Sequence, residues 1–360
     1  MTVPVGADGA LGLYSAVGDA FADRRIGFGR RRANVAARFA RFRGADEHAV
    51  AVAWIAGALA EVGLVRVVAP HDASPRTRAL LFADMPLHGA HLAAAVRGVP
   101  REAADAIRWH REHDDGTGVP DGLRWDGIPT GAAGVGIAHA FVTAIEDAAE
   151  PRDPLEALFA LTADAGRRFS LDVERAFRAF VHEQPDVEAP CTVTLPDIED
   201  DAAADALLVA IDDRDERTRG TSARLAARAA ALAERVGLDA VRASRCARLL
   251  TLGRATEFAP SDDVDPLSRV AREQRTALAG RAGAIAAAVP RYASEASALA
   301  ASAAWYEEGA RDRYGALLAT VVAAESLDPV EAPRRLAAAA GSQLDPEIAR
   351  AYVAALGAPT

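Results

Sequence analysis

The chain has 360 residues, 51% of them hydrophobic, and a formal net charge of -10. It can bury a sizeable core in more than one domain, and its acidic balance gives no broad basic footprint for nucleic acid. All 41 basic residues are arginine, which excludes a P-loop lysine, a Schiff-base lysine and a Ser-x-x-Lys nucleophile together.

Along the chain, the opening segment has no basic stretch followed by an apolar one, and no run is expected to reach the roughly 20 apolar residues of a membrane helix. A cytoplasmic protein without a membrane span is expected. Helix-spaced apolar residues run through "VAWIAGALAEVGLV", "ARLAARAAALAERVGL", "GALLATVVAAESL" and "PEIARAYVAAL", and alternating strand patterns are scarce. The spacing predicts an all-α chain. Between these stretches lies "HREHDDGTGVPDGL", from His110 to Leu123, with two histidines, several acidic residues and a glycine-rich turn. The proline-containing acidic stretch 186–204 reads as a linker between helical domains at 8–185 and 205–360. Cys191 and Cys246 are too few for a disulfide framework or a cysteine zinc site.

The two sides of that linker are similar to each other. "SAVGDAFADRRIGFGRRRANVAARFARFRG" matches "LLVAIDDRDERTRGTSARLAARAAALAERVG", Gly63 aligns with Gly253, and "DPLEALFALTADAGRRFSLDVERAFRAF" matches "DPVEAPRRLAAAAGSQLDPEIARAYVAAL". The glycine loop belongs to the first copy alone.

The loop "DGTGVPDGL", Asp115 to Leu123, resembles the D-G-x-G-Y-P-x-G-L signature of the HD-GYP branch of the HD-domain metal-dependent phosphohydrolases. "FGRRRANVA" and "TSARLAARA" are similar to the helix that opens on that family's first ligand histidine, and "GSQLDPEIARAY" to its closing helix. The resemblance implies two tandem, HD-domain-like helical bundles and, in active members, hydrolysis of cyclic di-GMP at a two- or three-metal site. Asp115, Gly116, Gly118 and Pro120 carry the loop match, and Val119 stands where the family has tyrosine.

Carried over residue by residue, the resemblance also implies that the ligand set is broken. The first histidine falls on Phe28, the His-Asp pair on Ala60 and Glu61, the following lysine on Leu64 and a later histidine on Met85. The adjacent histidines fall on His110 and Arg111, followed by Glu112, and the late aspartate falls on His139. In the second copy the corresponding positions are Thr221, Leu250, Thr251, Ala303, Ala304 and Val322. Phenyl, methyl and isobutyl groups offer a metal no lone pair, a thioether suits softer ions, and an arginine puts a fixed cation where an ion would sit.

The expectation is a catalytically inactive regulatory or interaction module that binds a protein partner or a small nucleotide, with no nucleic acid or membrane partner and no cofactor. It would act as a homodimer or an intramolecular pseudo-dimer. The enzymatic alternative is a phosphodiesterase holding Mn or Fe at Glu61, His110 and His139, and a further alternative is a nucleotide sensor without hydrolysis. Arg111 is expected to pair with Glu61 or Glu112, because a buried unpaired cation is costly. Asp114 and Asp115 are expected to shape the loop, His88 and His91 to face solvent, and the second copy to close over an apolar interior.

Overall fold

The computed structural model describes residues 9–68, 72–146, 153–184, 186–255, 264–309 and 312–356. Among them the regular structure is helical, and the β-type pairings are two isolated bridges, Ala165 with Phe169 and Ala340 with Leu344. The chain divides into two compact units, Met1–Leu207 and Leu208–Thr360.

The first unit contains α1 (Ala10–Phe21), α2 (Phe28–Phe42), α3 (Glu47–Leu59), α4 (Pro75–Ala83), α5 (Met85–Ala94), α6 (Arg101–Trp109), α7 (Thr130–Glu146), α8 (Pro154–Thr162) and α9 (Leu171–Glu183). Local sequence sets several of these starts. The carboxylates of Asp46 and Asp153 and the hydroxyls of Ser74 and Ser170 accept first-turn backbone N–H groups of α3, α8, α4 and α9, satisfying donors that a helix leaves unpaired.

Helix α3 packs against α2, α6 and α7, and its residues from Val50 to Leu59 are all buried. A helix apolar on every side belongs in the middle of a bundle. The 20-residue stretch Glu47–Arg66 is in fact long and apolar enough to cross a membrane, contrary to the expectation from sequence, but 89% of its most apolar window is buried by the protein itself. At its end the turn Val62–Arg66 seats directly on α5. A Cβ on Gly63 would lie 1.9 Å from the Met85 carbonyl oxygen, so the approach requires glycine.

The segment read as a linker runs within the first unit. Cys191 N–H donates to Asn34 Oδ1, Glu188 pairs with Arg31, and Glu199 N–H donates to the Arg97 carbonyl. The unit boundary falls inside the following helix, α10 (Asp200–Asp212).

The second unit continues with α11 (Thr221–Arg235), α12 (Ala240–Leu249), α13 (Arg269–Ala287), α14 (Ala296–Ala301), α15 (Arg313–Glu325), α16 (Ala332–Ala339) and α17 (Pro346–Leu356). Local details of the first unit recur here. Gly27 and Gly220, both with positive φ, precede α2 and α11. Asp19 accepts from Gly29 N–H at 2.8 Å, and Asp212 from Ser222 N–H at 2.8 Å. A Cβ on Gly253 would lie 2.1 Å from the Leu278 carbonyl, as Gly63 meets Met85.

The interior of the second unit departs from the expected apolar closure. Thr251 and Ala303 are buried, but Leu250, Ala304 and Val322 are only partly so. A buried carboxylate persists among them: Asp212 receives the Ser222 N–H, lies 3.5 Å from the Thr251 hydroxyl and pairs with Arg254 at 3.4 Å. Burial lowers the Arg254 pKa. The polar group stays because its partners came with it.

Candidate functional site

Helices α2, α3, α6 and α7 bring Phe28, Arg32, Glu61, His110, Arg111 and His139 together. Arg32 is one helical turn beyond Phe28, on the same face of α2, and is completely buried. Its guanidinium donates to the Gly57 carbonyl, to Glu61 Oε2 at 3.0 Å and to His139 Nδ1 at 3.0 Å. Phe28 packs edge-on to His139, with ring centroids 6.2 Å apart, and Arg32 lies over the Phe28 face. Met85, onto which the resemblance carried a histidine, packs in an apolar cluster with Leu64 and Val67.

The proton positions follow from these partners. A guanidinium has only donors, so His139 Nδ1 accepts and the neutral ring carries its proton on Nε2. The Ile107 carbonyl is a pure acceptor 2.7 Å from His110 Nδ1, so that nitrogen is protonated. His110 Nε2 is left as a buried lone pair without a partner. Burial, reinforced by Arg111 at His110 and Arg32 at His139, holds both imidazoles well below the usual histidine pKa. Asp19, which accepts from Gly27 and Gly29 N–H groups, is pushed up by burial to about 6, against the opposing pull of Arg32.

Arg111 lies 3.6 Å from Glu61 Oε1, so Glu61 faces two cations. The alternative partner, Glu112, is engaged elsewhere: its carboxylate accepts backbone N–H bonds from Asp121, Gly122 and Leu123 at 2.6, 3.1 and 2.9 Å. Glu112 therefore clamps the glycine loop. Asp115 shapes the same loop by accepting from Thr117 N–H and its hydroxyl. Gly118 fits because a Cβ would lie 2.2 Å from His113 N, Gly116 takes positive φ, and the Val119–Pro120 bond is cis. Asp114 and Asp115 N–H groups tie the loop to the Arg168 and Arg167 carbonyls. His91 is exposed, whereas His88 is partly buried and its pKa is lowered by that burial.

A divalent ion does not fit this arrangement. Among the described residues no three His, Cys, Asp or Glu side chains are grouped to hold one. Glu61 and His139, two of the three ligands anticipated with His110, already share the Arg32 guanidinium. A permanent cation thus stands between them and satisfies the lone pairs that a metal would need.

Beside this buried centre, an open cleft of about 450 Å³ runs between the glycine loop, α7 and the start of α9. Its lining includes His110, Trp125, Asp114, Asp126, Arg43 and Arg168. Trp125 is 68% exposed, and Arg168 stacks over Phe169, 5.1 Å from the ring centroid. Arg32, Asp19, Trp125 and Arg168 were not singled out from sequence. For Arg32 the available signal was its position one turn after Phe28 in the arginine-rich helix that opens there.

No family model matches the sequence, and no curated protein matches it. Among solved structures, the chain is similar to a cyclic GMP-AMP-specific phosphodiesterase of V. cholerae, V-cGAP3. The TM-score is 0.68 at 16% identity, over 97% of each chain. At that identity the likeness establishes architecture: the chain has an all-α, HD-domain-like fold.

Proposed function

We propose that the chain is a cytoplasmic regulatory protein, built from two degenerate HD-GYP-like copies, that binds a small nucleotide in the first-unit cleft and does not hydrolyse it by a metal route. The observation that carries this is Arg32, buried between Glu61 and His139. Metal-assisted phosphodiester hydrolysis needs ions that polarise phosphoryl oxygens and lower the pKa of a bound water. A guanidinium supplies charge but has no open coordination position. The repeated glycine turns, capping carboxylates and bridges of the two units support the duplication.

The cleft chemistry suits a nucleotide. The exposed face of Trp125 offers a stacking platform, worth about 1–3 kcal/mol per base. Arg168 and Arg43 suit phosphate oxygens, and Asp114 and Asp126 can accept from the N–H edge of a purine. The unpartnered His110 Nε2 can accept one further donor.

The test combines metal analysis of the purified chain with thermal unfolding in EDTA, with and without cyclic GMP-AMP or cyclic di-GMP. Substoichiometric Mn and Fe, a nucleotide-dependent rise in Tm and no product are expected, because a ligand that binds the native state stabilises it. A second reading, a phosphodiesterase with a rearranged centre, is favoured by the fold match to V-cGAP3. Metal-dependent hydrolysis abolished by His110→Ala or His139→Ala would establish it and sink the first.

A further inference from the structure

We propose that the second unit carries a separate binding site, a pocket between α11, α15 and α17 that takes a small organic acid with an aromatic or branched aliphatic body and one anionic group. The pocket is about 350 Å³, within the range of small-ligand sites, and its walls include Arg228, Leu232, Arg235, Glu325, Leu327 and Tyr352.

Its origin is visible in the first unit, where the matching place is filled. There Phe39 and Phe42 of α2 and Phe177 and Phe180 of α9 form a closed aromatic cluster with ring centroids 5.0 to 5.6 Å apart. Two independent local features set the register between the units. The left-handed glycines Gly27 and Gly220, with the carboxylates of Asp19 and Asp212, align α2 with α11. The bridges Ala165–Phe169 and Ala340–Leu344 align α9 with α17. In that register the four phenylalanines correspond to Leu232, Arg235, Tyr352 and Ala355, and all four line the pocket. Phe-to-Ala and Phe-to-Leu differences remove volume that a protein interior ordinarily fills, and the space here opens beside arginines.

The charges select the ligand. Glu325 is already matched twice, by Arg228 at 2.8 Å and by Arg224 at 2.7 Å. Arg235 makes no ion pair among the described residues and stands at the rim. The lining therefore has one more cation than anion, which suits a monoanion. Tyr352 lines the same pocket as Arg228, and its phenol O–H can be given to a carboxylate or sulfonate. Leu232 and Leu327 supply the apolar wall for the ligand body.

Anilinonaphthalene sulfonate, an aromatic body with one sulfonate, is the probe, used with the full chain. Saturable fluorescence enhancement with one equivalent is expected, displaced by phenylbutyrate and not by phenylbutanol. Ala355→Phe gives the second unit the side chain that the first has at this position, and it should abolish probe binding with the circular dichroism spectrum retained. Arg235→Gln is an exposed change that leaves the pocket open, and it should weaken binding about tenfold, the effect of about 1.4 kcal/mol. Undiminished binding in Arg235→Gln, undiminished binding in a folded Ala355→Phe, or equal displacement by the alcohol would each overturn the proposal.

Discussion

Arg32 brings its own charge to a buried centre as a covalent part of the chain, whereas a metal ion exchanges with solution. Its removal should therefore be felt in folding rather than in metal loading. Arg32→Met leaves the Glu61 carboxylate buried beside the more distant Arg111, and breaking a buried pair from one side costs about 3–5 kcal/mol. Urea unfolding should show that loss, and the double variant Arg32→Met with Glu61→Gln should lose clearly less than the two singles added together. Titration supplies a second expectation. Burial raises the Asp19 pKa in the folded state from the ordinary 3.8 to about 6, so Asp19 favours the native state as pH falls through that window. His110 and His139 act oppositely: their pKa values are held well below 6.5 in the fold, and the unfolded chain takes up those protons first. Two protons against one leaves the unfolded state ahead, so stability should fall as the pH drops below about 6.5. Asp19→Asn should steepen that loss and His110→Asn should flatten it, as read from urea titrations at several pH values.

Elements in this fold are joined by contacts that tolerate no extra atom. Gly63→Ala would drive a methyl to 1.9 Å from the Met85 carbonyl, and Gly253→Ala to 2.1 Å from that of Leu278. Each should lower stability by at least the roughly 1–3 kcal/mol of an overpacked core. Gly280, inside α13 with nothing within 4 Å of its virtual Cβ, is the control: Gly280→Ala should stabilise by about 0.5–1 kcal/mol through helix propensity. The glycine loop depends on a different device, the Glu112 carboxylate under three backbone N–H groups. Glu112→Ala should speed hydrogen exchange at Asp121, Gly122 and Leu123 while the amides of α3 keep their protection. An unchanged exchange pattern would mean that the loop is held by its turns alone.

At the scale of the whole molecule, each compact unit has its own buried core, one around α3 and α7 and the other around α11, α12 and α15. Units with separate cores unfold as separate cooperative transitions. Calorimetry should resolve two, with a cyclic dinucleotide raising the one and the amphipathic acid raising the other. A single transition moved equally by both ligands would refute that assignment.

What the sequence determined by itself was local or compositional. Helical spacing, capping residues and glycine turns act over a few neighbours, so the all-α class and the loop at Asp115 to Leu123 were legible in it, as were side chains at Phe28, Ala60 and Met85 that offer a hard metal ion no ligand. The tertiary structure decided where long side chains end. An arginine reaches several ångströms from its backbone, so whether Arg32 or Arg111 fills the centre depends on how α2, α3, α6 and α7 pack. The same reason turned Glu112 toward the loop and not toward Arg111, and buried Glu47–Arg66, which by composition could have crossed a membrane. It also left open, between α11 and α17, a space that no periodicity records, because a cavity is what remains when side chains from distant helices fail to meet.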